Sequence, residues 1–212
     1  MNNTKIRKIT VTGMLLAIML LFNVFPIGFI PLPAFNATLM HIPVLVGLFS
    51  EGLGVGVILG AAFGISSLIK AYVALTATSF AFQNPLFSIP PRVLFPIVAW
   101  AVALLIMRLI GKFKEGRKTA LHSSRVVGSF VGTLTNTVLV LGGMRFFFLD
   151  QYAANILKLE ITPQIGAAVT TALVAVGSTQ GLAEAALAAV LVPLICAALD
   201  TAFNKEKLVR KP

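Results

Sequence analysis

Long apolar segments follow one another along almost the whole of this 212-residue chain. A helix needs about 20 consecutive apolar residues to cross a lipid bilayer, and it satisfies its own backbone hydrogen bonds there. The sequence therefore predicts an all-α membrane protein: a single membrane domain over residues 1–212 that forms a bundle of six transmembrane helices. We expect these helices at about residues 9–29, 37–51, 53–73, 91–111, 125–149 and 181–203.

The composition indicates that the bilayer is the solvent for most of the chain. The sequence is 58% hydrophobic and 11% charged, whereas soluble domains are about a quarter charged. The basic start resembles that of a signal peptide, but the apolar run continues to Phe29 without a small-residue cleavage site. We therefore interpret this run as an uncleaved first helix.

Two apolar segments are short for a transmembrane helix. Residues 37–51 are expected to depend on packing against the neighbouring helices. The apolar piece Ile165–Val176 lies within a predicted connection, Asp150–Gln180, and is too short to span comfortably. A seventh helix at this piece is the alternative to the count of six.

Basic residues predict the orientation of the bundle. They cluster at Lys5–Lys8, at Arg108–Arg125 and at Lys205–Lys211, which an even helix count places on one side of the membrane. Short connections rich in lysine and arginine stay in the cytoplasm, so both the N- and C-termini are predicted to be cytoplasmic. The net charge of +10 is then a topology signal, and we expect no nucleic-acid partner.

Polar residues, Gln180 among them, map to the outer half of the predicted helices or to the extracellular connections. Each polar side chain in lipid is costly and needs a partner or a wet cavity, so this distribution predicts a pocket that opens outward. Four basic residues collect at the same face, which favours an anionic ligand; they are Lys70, Arg92, Arg145 and Lys158. The candidate substrate-binding residues are Asn36, His41, Gln83, Asn84, Arg92, Asn136, Arg145 and Glu184.

Arg92 is the predicted anchor for an anionic group of the ligand. Pro90 and Pro91 constrain the entry into its helix, and a guanidinium can hold a carboxylate with two parallel hydrogen bonds. Asn136 and Gln83 are expected to orient amide or hydroxyl groups of the same ligand.

Structural roles remain open for the same residues. His41 can cap the second helix, and Glu184 can favour the dipole of its own helix. Arg145 can reach the lipid headgroups or pair with Asp150. Arg92 can form a structural bridge with Glu184 or extend to the headgroups.

Small residues follow two of the predicted helices at four-residue spacing. The third helix carries Gly56, Gly60 and Gly64, and the first helix carries Gly13 and Ala17. Such spacing lets another helix approach closely in lipid. These residues are therefore predicted to dock a partner membrane subunit, with close packing inside the bundle as the alternative.

Motifs for catalysis are missing from the sequence. It contains no phosphate-cradling glycine loop with its lysine, no His-Glu-x-x-His motif, no cysteine pair and no aspartate cluster for a metal. We therefore expect no enzymatic activity, no cofactor and no metal site.

Several motifs resemble those of one transporter family. They are Asn36–Val44, the glycine stripe of the third helix, Thr78–Phe82, Pro91-Arg92 and Gly132–Thr137. Together they resemble, in order along the chain, the substrate-binding S components of energy-coupling factor (ECF) transporters. In that family a six-helix S component binds a vitamin or related micronutrient from outside. It associates with a shared transmembrane coupling subunit and two ATPase subunits.

The resemblance implies a substrate-binding subunit of an ATP-driven importer, a multi-pass protein of the bacterial plasma membrane. Asn36–Val44, Pro91-Arg92 and the asparagine-bearing fifth helix look most similar to pantothenate-type S components. The pair Gly13 and Ala17 looks like the family's docking motif on the first helix, with glycine in place of the first alanine. The expected partners are thus a vitamin, with pantothenate the one implied, the coupling module and the lipid bilayer.

Other functions stay open at this point. Related S components bind folate, riboflavin or thiamine. A stand-alone secondary carrier would need an ion-coupling residue such as Glu184 or His41 and would usually show an internal repeat. We find no such repeat between residues 1–110 and 111–212. A membrane enzyme or a structural helper protein is disfavoured by the missing catalytic motifs and by the convergence of polar residues on one side.

Overall fold

The computed structural model describes residues 3–24, 29–32, 35–73, 78–110, 117–160 and 165–202. Within these ranges the chain is a bundle of helices with one short antiparallel hairpin. In chain order, the elements are α1 (Asn3–Val24), β1 (Phe29–Leu32), β2 (Phe35–Thr38), α2 (His41–Glu51), α3 (Leu53–Val73), α4 (Ser79–Phe82), α5 (Pro85–Ser88), α6 (Pro90–Ile110), α7 (Arg117–Phe147), α8 (Leu149–Tyr152), a π-helical turn (Ala153–Leu157), α9 (Ile165–Val176), a second π-helical turn (Gly177–Gly181) and α10 (Leu182–Ala202).

Five helical stretches among the described residues are long and apolar enough to cross a membrane. They are Lys5–Asn23, Leu53–Val73, Pro85–Ile110, Lys118–Phe147 and Ile165–Ala202. Large apolar side chains such as those of Ile58, Leu109 and Val190 are exposed on them, as expected for surfaces that contact lipid. The prediction of a helical membrane protein with several spans is therefore confirmed.

The structure differs from the predicted helices at three main places. The first helix, expected at 9–29, covers Asn3–Val24, and Phe29 belongs to β1. Residues 37 and 38 belong to β2, and the second helix begins only at His41. Its 11 residues measure about 16 Å at 1.5 Å per residue, against a hydrocarbon core of about 30 Å. Residues 165–202, expected to be a connection up to Gln180, form one helical stretch of 38 residues. Within this stretch, Gly177–Gly181 form a π-helical turn that joins α9 to α10.

Helix α2 lies at the centre of the bundle. Its residues 41–48 are all buried, and Val44 and Leu45 are fully enclosed. Helices α1, α3, α6 and α10 pack around it. A helix that is apolar on every side is stable when neighbours cover all of its faces, so α2 becomes the core.

Helices α2 and α10 run in the same direction. Cys196 Sγ lies 4.0 Å from the carbonyl oxygen of Val46, while His41 interacts electrostatically with Glu184. The first residues of both helices therefore lie at one end of the bundle, and their last residues lie at the other.

Ion pairs stabilise the end of the bundle at which α2 and α10 finish. Arg7 of α1 donates to Glu51 of α2 at 3.1 Å. Arg125 of α7 donates to Asp200 of α10 at 2.6 Å. Each pair joins a residue of a predicted cytoplasmic basic cluster to the last turn of a neighbouring helix.

The glycine stripe of α3 packs inside the bundle. Gly56, Gly60 and Gly64 are buried. A Cβ on Gly64 would lie 2.8 Å from the Cα of Ile89, and one on Gly60 would overlap the carbonyl oxygen of Arg92. The structure therefore corrects the prediction that these three glycines dock a partner, because their small size is used for the approach of other elements of the same chain.

We expect Gly60→Leu to destabilise the protein by about 2 kcal/mol, because overpacking a close contact costs about 1–3 kcal/mol. Gly54→Leu is the control, since Gly54 lies on the same helix and a Cβ there would meet nothing within 4 Å. Thermal unfolding in detergent compares the two variants. Equal thermal stability would contradict the internal role of the stripe.

Candidate functional site

A cavity of about 530 Å³ lies at the end of the bundle opposite the ion pairs. Its volume is within the range of about 300–1,000 Å³ that is typical of small-molecule sites. The described residues that line it are Asn23, Met40, Phe63, Ser67, Lys70, Ala71, Thr78, Ser79, Phe82, Arg92, Asn136, Thr137, Val140, Leu141, Met144, Tyr152, Val176, Gln180, Gly181 and Glu184.

Arg92 is buried in the wall of this cavity, with 5% of its surface exposed. Pro90 and Pro91 begin α6 and restrict the backbone there, so the side chain starts from a defined position. Its guanidinium carbon lies 4.8 Å from the ring centre of Phe82 and 5.6 Å from that of Phe63. Two aromatic faces thus stabilise the cation without neutralising it.

The hydrogen-bonding capacity of Arg92 is incompletely used. Its Nε and Nη1 are buried and have no hydrogen-bond partner among the residues that the structure describes. Within the same residues no ion pair joins Arg92 to Glu184, so the structural bridge considered from the sequence is not formed there. Buried donors in native proteins nearly always have a partner, and the guanidinium is therefore the group of this cavity that most requires one.

A second cation, Lys70, lines the cavity from the last turn of α3. Its Nζ donates to the backbone carbonyl of Asn23 at 2.9 Å. The Asn23 side chain donates from Nδ2 to the carbonyl of Ser66 at 3.2 Å, and its Oδ1 is buried with no partner in the described part of the chain. These bonds join the end of α1 to α3 and leave an amide oxygen available to a ligand.

Glu184 lines the cavity from the first turn of α10. Gln180 donates from Nε2 to Glu184 Oε1 at 3.1 Å, and His41 interacts electrostatically with the same carboxylate. This carboxylate is thus oriented by the hydrogen bond from Gln180. It is a fixed hydrogen-bond acceptor for a hydroxyl group.

The charges around the cavity are unequal. Arg92 and Lys70 are the basic residues, and Glu184 is the acidic residue, among the described side chains that line it. The positive balance attracts an anionic group. Repulsion from Glu184 favours an orientation in which the anionic group of a ligand is close to the cations and its neutral polar groups are close to the carboxylate.

Helix α7 contributes Asn136 and Thr137 to the wall. The Oδ1 atom of Asn136 is buried without a hydrogen-bond partner in the described ranges. A Cβ on Gly181 would lie 2.7 Å from Cγ2 of Thr137, so the absence of a side chain lets the second π-helical turn pack closely against α7. This packing places Gln180 in the cavity wall.

Tyr152 of α8 adds a phenol to the wall and is 5% exposed. Burial raises the pKa of this phenol above its ordinary value of 10.0, because water no longer stabilises the phenolate. The hydroxyl therefore stays protonated at physiological pH and can donate a hydrogen bond inside the cavity.

The structure brings three of the predicted substrate-binding residues to the cavity: Arg92, Asn136 and Glu184. Their role in binding stays a prediction. Asn36 belongs to β2, and its side chain lies outside what the structure describes.

Gln83 and Asn84 do not line the cavity. Gln83 donates from Nε2 to the carbonyl of Ala71 at 3.0 Å. Asn84 caps α5, since its Oδ1 accepts from the backbone N–H of Leu86 at 3.0 Å. Backbone N–H and C=O groups at helix ends have no partner within the helix. The side chains of Gln83 and Asn84 supply such partners.

His41 and Arg145 also lie away from the cavity wall. His41 is buried in the first turn of α2. Arg145 donates from Nε to Oγ1 of Thr170 at 2.8 Å, and no ion pair with Asp150 is formed within the described residues.

Sequence reasoning missed several residues of the wall. The sequence marks Lys70 only as a basic residue near the outer surface. The available signal for Asn23 is that an asparagine inside an apolar segment needs a partner or a wet cavity. Tyr152 falls in the connection whose fold was not predicted. Phe63 carries no signal, because 16 phenylalanines are spread along this apolar chain. Phe82 ends the family motif Thr78–Phe82, but nothing in the motif distinguishes it as a wall residue.

Comparisons with known proteins agree over nearly the whole chain. The family described as "ECF transporter, substrate-specific component" matches residues 7–196. The pantothenic acid transporter PanT of Lactococcus lactis subsp. cremoris (strain MG1363) is 28% identical over 221 aligned residues, which cover 96% of this chain and 99% of the relative. The family match includes every residue of the cavity wall.

We expect a Ser67→Cys variant to react with a small charged thiol reagent at least about tenfold faster than Ser129→Cys, because thiol reactivity requires access. Ser67 of α3 lines the cavity, whereas Ser129 of α7 does not line it and is fully buried. The native Cys196 is also fully buried, so it adds little background. Mass spectrometry of the folded protein measures the labelling, and an unreactive thiol at position 67 would show that the cavity is closed to solutes.

Proposed function

The chain belongs to the family of substrate-specific components of ECF transporters, and from this premise we propose that it binds pantothenate in the cavity beside Arg92. It is a multi-pass protein of the bacterial membrane. The similarity to a pantothenic acid transporter along 96% of the chain supports this ligand. The proposed role is the capture of the vitamin outside the cell for an ATP-driven importer.

The observation that carries the proposal is the buried guanidinium of Arg92, with two nitrogens that have no partner among the described residues. Pantothenate has a carboxylate at one end, hydroxyls at the other and an amide between them. A carboxylate accepts charge-assisted hydrogen bonds from a guanidinium, which are roughly twice as strong as neutral ones. Lys70 supplies a second positive charge to the same cavity.

The remaining polar groups suit the rest of the ligand. Glu184 accepts hydrogen bonds from hydroxyls, and its charge disfavours a reversed ligand with the carboxylate beside it. Asn136 and Asn23 each have a buried amide oxygen without a partner in the described ranges, and either can accept from the amide N–H or a hydroxyl of the ligand.

We propose that the cavity opens to the outside and that both termini are cytoplasmic. The ion pairs formed by Arg7 and Arg125 lie at the opposite end of the bundle. Both residues belong to basic clusters that the distribution of lysine and arginine assigns to the cytoplasm. The proposed count of six helices takes α2 as the short central one and α9 with α10 as one.

Energy is proposed to come from partner subunits: a transmembrane coupling subunit and two ATPases. The face of α1 that carries Gly13 and Ala17 supports docking, because both residues are exposed and a Cβ on Gly13 would meet nothing within 4 Å. Met14 and Leu21 are also exposed on this helix. The face is thus available to a close-packing helix.

Uptake of radiolabelled pantothenate into proteoliposomes, with and without the coupling module and ATP, tests the proposed transport. We expect uptake only with the complete assembly and ATP. Accumulation by this chain alone under a proton gradient would contradict the proposal and support a secondary carrier.

We expect Arg92→Gln to weaken pantothenate binding at least about thirtyfold, or about 2 kcal/mol, since it leaves a buried carboxylate without its charged partner. Arg108→Gln, at the exposed far end of the same helix, should bind normally. Isothermal titration of the purified variants measures both affinities.

An analogue with an amidated carboxylate separates binding from folding. For this neutral analogue, the affinities of Arg92→Gln and of the unmodified protein should differ much less than their affinities for pantothenate. If Arg92→Gln weakens the analogue and pantothenate by the same factor, the arginine supports the fold instead of recognising the anion.

We expect Gly13→Trp or Ala17→Trp to reduce uptake by the complete assembly at least about tenfold, because a bulky side chain blocks close helix approach. Binding to the isolated subunit should stay within about twofold, because Asn23, the described α1 residue of the cavity wall, lies six residues beyond Ala17, which is about 9 Å along the helix. Gly54→Trp is a control at another open helical glycine. Loss of ligand binding in the α1 variants would place these residues in the fold instead of the docking surface.

A further inference from the structure

A second hollow, separate from the ligand cavity, lies between α7 and α9. We name it the α7–α9 groove; its volume is about 380 Å³. Its wall is mostly apolar and includes Leu134, Val138, Leu141, Leu173 and Val174. Val138 and Val174 are 66% and 63% exposed, and both lie on membrane-spanning stretches. The groove therefore opens onto the surface that contacts lipid.

Arg145 is the charged residue among the described side chains that line this groove. Its Nε donates to Oγ1 of Thr170 at 2.8 Å, and the Thr170 hydroxyl donates to the carbonyl of Gly166 at 2.7 Å. The guanidinium lies against α9 so closely that a Cβ on Gly166 would be 3.0 Å from Nη2. These contacts orient the guanidinium, and across the described residues no ion pair neutralises it.

The length of the groove matches one leaflet of a bilayer. Arg145 and Leu134 are 11 residues apart on α7, which is about 16 Å at 1.5 Å per residue. Half of a hydrocarbon core of about 30 Å is about 15 Å. Arg145 lies in the last turn of α7, so the apolar wall extends from the membrane surface to about the middle of the bilayer.

We propose that the α7–α9 groove binds an anionic phospholipid, with the headgroup phosphate on Arg145 and one acyl chain along the apolar wall. A guanidinium held by one hydrogen bond at Nε retains its Nη groups for phosphate oxygens. The acyl chain fills an apolar surface that no described element covers. The charge of Arg145 thus suits the phosphate of the lipid, and the apolar wall suits its acyl chain.

The site has a direct structural link to the ligand cavity. Thr137 and Leu141 belong to both walls. A Cβ on Gly177, in the π-helical turn beside the groove, would lie 3.1 Å from Cδ1 of Leu141. A bound acyl chain therefore packs against the back of the cavity wall and supports it from the lipid side.

Native mass spectrometry of the delipidated full chain, titrated with phosphatidylglycerol or phosphatidylcholine of the same acyl chains, tests this proposal. We expect phosphatidylglycerol to bind at least about fivefold more tightly, since one basic residue near the membrane surface is worth about that factor. Arg145→Gln should remove the preference. Arg108→Gln, which changes an exposed arginine outside the groove, should keep it.

The acyl-chain part of the site has its own variant. A Cβ on Gly142 would meet nothing within 4 Å, and Gly142 lines the groove, so Gly142→Leu fills the groove without a clash. It should weaken both lipids at least about fivefold, whereas Gly54→Leu should not. Glycerophosphoglycerol, the headgroup without chains, should fail to compete with phosphatidylglycerol.

Three results would overturn the proposal: equal affinity for the two lipids, a preference that survives Arg145→Gln, or effective competition by the free headgroup. None of these measurements uses pantothenate, so they are independent of the ligand that the cavity binds.

Discussion

The burial of α2 is the constraint on which the rest of the bundle depends. Its residues 41–48 have no face exposed to lipid or water, and an apolar helix of 11 residues is too short to span a bilayer by itself. It is stable only when α1, α3, α6 and α10 enclose it. This enclosure sets α10 beside α2 with the same direction, and it places Glu184 next to His41 at one end and Asp200 at the other.

The two ends of the bundle use charge differently. At one end, Arg7 and Arg125 are paired with carboxylates of neighbouring helices, which stabilises the assembly of helix ends. At the other end, Arg92 lies between aromatic rings, with buried nitrogens that have no protein partner in the described ranges. A buried cation without an anion is costly in a protein of low dielectric. An anionic ligand that pairs with Arg92 offsets this desolvation cost when it binds. This end of the bundle is therefore the proposed binding site.

Arg92 and Arg145 show how similar residues acquire different roles. Each lies near an end of an apolar helix, and both were predicted to bind the substrate. Arg92 is held towards the inside, where the close approach of its own backbone to Gly60, and of Ile89 just before α6 to Gly64, leaves little freedom. Arg145 is held by Thr170 on the outer side of α7, facing a groove of the lipid-exposed surface. The separation depends on the rotation of each helix about its axis, which its packing partners determine.

The sequence by itself determined the membrane-embedded helical class, the basic clusters, the absence of catalytic motifs and the importance of Arg92 as a candidate, because these follow from local composition and spacing. The family resemblance, carried by short motifs, was confirmed by the match over residues 7–196. Only the tertiary structure decided that residues 165–202 form one helical stretch, that the glycines of α3 pack internally, and that Asn23, Lys70 and Tyr152 share a cavity with Arg92. The physical reason is that in lipid nearly every helix face is apolar, so the sequence pattern carries little information about which face turns inward. Close packing of small residues and the pairing of buried polar groups determine it instead.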